Sequence, residues 1–218
     1  MHEFNAPSGG NADLIRSLSD SMSPVRRRRS GREMMILAGI LALQLAGTLA
    51  LVGVNSAAVL THNPSMFIAK AVMLGGLSLG FTLLAFRSLD PEAPRQKNFA
   101  YAIGGALLGF GILTLDRNFG GGAMNILMPS KGITCLLSSI SFSVPMFIGL
   151  TMFMRGGAST QPSLTALFIG IAAGSWGVFV YGLQCPFMNI GYIAAWYGGA
   201  VLLVTLAAAA ILPRLNRW

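Results

Sequence analysis

The sequence predicts an all-α protein, a polytopic membrane helical bundle of about six transmembrane helices behind a short N-terminal cytoplasmic tail. Three observations predict it. Apolar residues make up 54% of the 218 residues and charged residues only 10%, whereas soluble domains carry about a quarter charged residues. A soluble fold of this composition would expose apolar patches that soluble monomers avoid. The apolar residues also fall in blocks of about 20, the length that a hydrocarbon core of roughly 30 Å requires. Finally, the net charge of +8 is led by one run, Arg26-Arg27-Arg28-Arg29, placed just before the first block. Such a run can bind nucleic acid. Beside a membrane span it holds the tail on the cytoplasmic side, so no direct nucleic-acid partner is inferred.

The tail covers residues 1–33. Pro7, Gly9, Gly10 and many serines predict flexibility for most of it. One segment, at about 11–23, has helical periodicity. Leu14, Ile15, Leu18 and Met22, continued by Val25, fall on one face about 100° wide. Asn11 suits an N-cap, Asp13 the positive end of the helix, and Pro24 a stop. So short a helix is marginal alone and is expected to form against a partner or against membrane lipid.

Residues 34–218 form the transmembrane domain, with spans expected at 34–54, 66–86, 99–115, 132–154, 163–183 and 189–212. The third is the shortest and only just crosses the hydrocarbon core. The first block begins too late, and runs too long, for a cleaved signal peptide. An even number of spans puts both termini on one side. Twelve Lys and Arg residues lie on the side of the tail and two, Arg117 and Lys131, on the other, with Lys70 set aside. The positive-inside rule therefore places both termini in the cytoplasm, in a multi-pass protein of a bacterial inner membrane. Gly76–Gly80, Gly105–Gly109 and Gly170–Gly174 are GxxxG pairs and predict close helix packing. The absence of an internal repeat argues against an inverted-repeat transporter.

Within the spans, Lys70 is the one ionisable residue, one turn from the outer end of its span, and its amine is expected to snorkel to the headgroups. No paired carboxylates and no nucleophile–base constellation occur there, so neither an enzyme nor a cofactor is inferred. The serines at 138, 139, 141 and 143 read as interhelical hydrogen-bond donors. His62 reads as a solvated loop residue, Tyr181 as part of an aromatic belt, and Trp176, Trp196 and Tyr197 as packing residues. Cys135 and Cys185 are the two cysteines, with no CxxC or zinc spacing between them. The topology sets both at the same depth on the oxidising side. Three readings stay open: a static disulfide, two unrelated packing thiols, or a responsive pair that is oxidised or binds a metal ion. A disulfide needs α-carbons within about 7 Å.

The run Tyr181-Gly182-Leu183-Gln184-Cys185-Pro186, then Ala195-Trp196-Tyr197 and the terminal Arg217-Trp218, resembles the NrsF-like family of membrane-embedded anti-sigma factors. Asp13-Leu14-Ile15-Arg16, Ser23-Pro24-Val25-Arg26-Arg27 and Cys135-Leu136 also have counterparts there. Gln184 stands where the family has His, and Phe187-Met188 where it has acidic residues; these are absent metal ligands and thiolate-tuning groups. The resemblance implies a six-span regulator of an extracytoplasmic-function (ECF) sigma factor. Its cysteine pair, implicated in sensing a heavy-metal ion or oxidative stress, corresponds to Cys135 and Cys185. It further implies that the tail binds the sigma factor as a helix laid in a groove, through Asp13, Leu14, Ile15, Arg16, Leu18, Met22, Pro24 and Val25. Two readings from other classes remain beside it. A small channel or transporter would need a polar path, for which Gln44, Lys70 and scattered hydroxyls are available. A structural membrane subunit would use the glycine-rich faces.

Overall fold

Apolar segments inside a bilayer must satisfy their backbone groups internally, and helices do so within one segment. The structure, a computed structural model, describes residues 9–20, 30–51, 53, 64–89, 129–156, 161–185 and 190–215. Among them the helices are α1 (Gly9–Asp20), α2 (Ser30–Leu51), α3 (Pro64–Ser88), α4 (Pro129–Arg155), α5 (Pro162–Gly182), a short α6 (Ile190–Tyr192), a π-helical turn (Ile193–Tyr197) and α7 (Gly198–Leu215). No strand occurs among the described residues. Pro64, Pro129 and Pro162 each open a helix. A proline there sacrifices no helical hydrogen bond, because the first N–H groups have no partner within the helix.

Five helices are long and apolar enough to cross a membrane, at Gly31–Leu51, Lys70–Ser88, Lys131–Arg155, Pro162–Gly182 and Ile193–Leu215. They correspond to the first, second, fourth, fifth and sixth expected spans. The expected third span, 99–115, lies outside the described residues, as do Arg26–Arg29 and His62.

Helix α5 is the hub and packs on α3, α4 and α7. Small residues allow it. A Cβ added at Gly170 would lie 2.6 Å from the Thr205 Cα, and one at Gly174 would lie 2.9 Å from the Val201 Cα. The two backbones of α5 and α7 therefore almost touch along this GxxxG pair, as the sequence predicts. Gly76 and Gly80 have nothing within 4 Å, so that pair mediates no close approach among the described residues. Gly105–Gly109 lies outside them. On its other flank α5 meets α4 at Gly177, where a Cβ would collide with the Ser139 carbonyl and with Ser143.

The serines of α4 correct an expectation. Ser141 Oγ donates to the Leu137 carbonyl at 2.9 Å and Ser143 Oγ to the Ile140 carbonyl at 2.6 Å, both within their own helix. In apolar surroundings the nearest acceptor is the preceding turn. What Ser139 and Ser143 give the α4–α5 contact is small size. Interhelical polar ties come instead from Ser78, whose Oγ donates to the Ala172 carbonyl at 3.2 Å, and from Thr165, whose Oγ1 donates to Ser88 Oγ at 2.9 Å. Gln44 supplies a third. Its Nε2 donates to the Phe142 carbonyl at 2.8 Å, and its Oε1 accepts from Trp176 Nε1 at 2.9 Å.

These contacts orient the bundle. Arg87, Arg155 and Arg214 in the last turns of α3, α4 and α7, and Arg32 at the start of α2, share one end. Phe86 meets Phe153 there, with ring centroids 5.9 Å apart. Lys70, Cys135, Cys185 and Tyr192 share the opposite end.

Helix α1 lies in the tail. It begins at Gly9 and ends at Asp20. Asn11 is thus inside the helix and is not its N-cap, and Asp13 lies beyond the first turn. Ser17 and Ser19 turn their hydroxyls back to the Leu14 and Arg16 carbonyls. Leu14, Ile15 and Leu18 stay exposed at 58%, 68% and 56%. Met22, Pro24 and Val25 lie outside the described residues.

Candidate functional site

Cys135 stands near the start of α4, and Cys185 follows the end of α5. The chain stays wound past Gly182, because the N–H groups of Gln184 and Cys185 both donate to the Tyr181 carbonyl, at 3.0 and 3.1 Å. That wrap fixes Cys185 against the bundle. Both side chains are buried, at 1% and 3% exposure, and both are thiols with no disulfide between them. The two sulfurs are in hydrogen-bonding contact with each other. The structure therefore brings together two residues 50 positions apart that the sequence placed only at equal depth.

Two tyrosines complete the contact. The side chains of Tyr192 and Tyr197 are buried in the same cluster as Cys135 and Cys185. In an α-helix, residues five apart point about 140° away from each other. The π turn at Ile193–Tyr197 removes that divergence, with the Gly198 N–H bonding back to the Ile193 carbonyl. An i→i+5 turn sets residues five apart nearly above one another, and such turns are frequent at functional sites. Trp196, on the same turn, lies where a Cβ on Gly132 would be. Its ring centroid is 6.4 Å from that of Tyr192. Leu74, Val178 and Ala200 form the apolar wall.

Lys70 departs from the expected snorkelling. It is 8% exposed, and its Nζ has no hydrogen-bond partner among the described residues. The amine sits 5.7 Å from the Phe67 ring centroid and 5.9 Å from that of Tyr197. It is also within electrostatic reach of both thiols. The cause is facing: Lys70 lies on the side of α3 that packs on α5, with its stem against Gly182, so aromatic faces take the place of headgroups. Tyr181 likewise turns inward and meets the Tyr197 ring edge-on at 6.5 Å.

Two touching thiols form a two-electron unit. They can join as a disulfide with loss of two protons and two electrons, or hold a soft metal ion between thiolates. Among the described residues no group of three His, Cys, Asp or Glu gathers anywhere, so the donors here are two thiols and phenolic oxygens. Sequence reasoning found the cysteines and missed Lys70, Tyr181 and Tyr192 as their neighbours. The candidate partner-binding residues Asp13, Leu14, Ile15, Arg16 and Leu18 lie on α1, a different element from the thiol site.

Comparison with known proteins adds to this geometry. The family described as "Negative regulator of sigma F" (NrsF) matches residues 18–218. A protein of Azospira oryzae described as a probable anti-sigma-F factor NrsF is 29% identical over 94 residues, covering 43% of this chain and 44% of that relative. The anti-sigma-F factor NrsF of Caulobacter vibrioides is 26% identical over 161 residues, covering 70% and 73% of the two chains. No solved structure matches the sequence.

Proposed function

The chain belongs to the NrsF family of negative regulators of sigma F, and from that membership we propose that it is a membrane-bound anti-sigma factor whose tail captures an ECF sigma factor. The family is regulatory and not enzymatic. The captured factor is released when an oxidant or a heavy-metal ion acts on Cys135 and Cys185. The bundle sits in the inner membrane with both termini in the cytoplasm. The arginine-bearing end, with Arg32, Arg87, Arg155 and Arg214, faces inward, in keeping with the positive-inside rule.

The exposed apolar stripe of α1 carries the reading. A helix that leaves Leu14, Ile15 and Leu18 more than half exposed has the form of a ligand for a hydrophobic groove. Asp13 and Arg16 flank the stripe and orient it, and Met22, Pro24 and Val25 extend the contact. Release needs only differential affinity, about 1.4 kcal/mol for each factor of ten. The test is capture of the sigma factor by the full-length chain carrying Leu14→Asp and Leu18→Asp. Capture should be lost and target-gene output should rise; undiminished repression removes the tail as the binding site.

A further inference from the structure

We propose that Gln44 is the positioning residue through which the thiol site acts on the tail: it reads how α4 and α5 lie against each other and sets α2 accordingly. The proposal deepens the anti-sigma reading and rests on it for its biological meaning.

Gln44 lies on α2, the helix that begins at Ser30, ten residues beyond the last residue of α1. Its one amide grips two other helices. Nε2 donates to the Phe142 carbonyl of α4 at 2.8 Å, while Oε1 accepts from Trp176 Nε1 of α5 at 2.9 Å. Cys135 is on the first of these helices, and Cys185 is in the turn that closes the second. Phe142 is seven residues from Cys135, about 10 Å along α4, and Trp176 is six residues, about 9 Å, from the end of α5 at Gly182, with Cys185 in the turn just beyond. Helix α2 packs chiefly along α4, so the indole arm is its reach to α5.

Near the clamp the two helices touch backbone to backbone, with Gly177 against Ser139 and Ser143. A contact that close resists separation. A bond or bridging atom that changes the spacing of the thiols must therefore tilt α4 and α5 about Gly177. The tilt re-aims the Trp176 N–H relative to the Phe142 carbonyl. Hydrogen bonds weaken steeply when bent, and no water stands by in an apolar core to replace one. Gln44 must then follow both partners or drop one, and in either case α2 moves. The path from the thiols to α2 is short and consists of named atoms.

The experiment uses the full-length chain in lipid nanodiscs. Hydrogen–deuterium exchange is followed along α2 before and after phenylarsine oxide. This arsenical bridges two thiols by forming two As–S bonds and releasing one water, with no change of oxidation state. In the native chain, protection around Gln44 should change by roughly fivefold, the loss of about one buried hydrogen bond. Gln44→Leu and Trp176→Phe should each abolish that change. Trp176→Phe keeps the arm to Phe142 and so should fold, but with one arm already gone its α2 should start near the protection of the treated native helix and not change on treatment, which decides the matter if Gln44→Leu fails to fold. Unaltered exchange along α2 in the treated native chain overturns the proposal, and so does a native-sized response in Trp176→Phe. Sigma capture measured on the same samples separates the two ideas. A chain that shows the exchange pattern but captures no sigma factor sinks the anti-sigma reading and supports the coupling.

Discussion

The Nζ of Lys70 sits 5.9 Å from the centre of the Tyr197 ring, with both residues buried among the described helices. A cation facing two aromatic rings is partly compensated for leaving water. It still bears the cost of a buried charge whose Nζ has no hydrogen-bond partner among the described residues.

Replacing Lys70 with Met should therefore leave the fold at least as stable, because a thioether fills the same stem volume without the charge. Lys70→Glu should cost about 3 kcal/mol or more, since it turns a carboxylate towards the negative faces of the same rings. Unfolding of the detergent-purified chain in sodium dodecyl sulfate measures both. A Met variant weaker than native by more than about 1 kcal/mol would make the amine a structural partner and reverse this account.

Two glycines in similar sequence settings should behave oppositely. Gly177 has the Ser139 carbonyl where a Cβ would go, and Gly76 has open space among the described residues. Gly177→Leu should cost about 2–3 kcal/mol or prevent folding, because it wedges α4 from α5. Gly76→Leu should change stability by less than about 0.5 kcal/mol. Equal effects at the two positions would contradict the α4–α5 contact.

The orientation of the bundle can be read from two exposed basic residues at opposite ends of α4, Lys131 and Arg155. With Cys135 and Cys185 changed to Ser, Lys131→Cys should react with an impermeant maleimide on intact spheroplasts. Arg155→Cys should react only after the membrane is opened. The reverse pattern would put the thiol cluster in the reducing compartment and remove the reason for an oxidant to reach it.

Much of the fold was legible because length and apolarity alone announce a span. The boundaries of α2, α3, α4 and α5 fall within about four residues of those expected, the usual margin for helix ends read from sequence. Pairing was not legible. Of three GxxxG pairs, Gly170–Gly174 packs tightly and Gly76–Gly80 meets nothing among the described residues. The motif is the same; what differs is the helix opposite, which the local sequence does not encode. The thiol site was half legible. Equal depth followed from topology, but contact depends on how α4 and α5 rotate about their axes. Lys70 was misread because snorkelling presumes a lipid-facing side chain, and its side of α3 packs on α5. Gln44 stood out only as a polar residue in an apolar span; its partner Trp176 is 132 residues away.

The wide turn at Ile193–Tyr197 has one more effect. Geometrically it is a single inserted residue, and everything after it is rolled relative to everything before. Upstream of it Tyr192 must meet the cysteines; downstream, Thr205 and Ala208 must lie over Gly170. A regular helix of one residue fewer could keep the first appointment or the second, but not both. Deleting Ala194 should therefore leave a chain that still inserts in the membrane yet must choose between its thiol cluster and its seam.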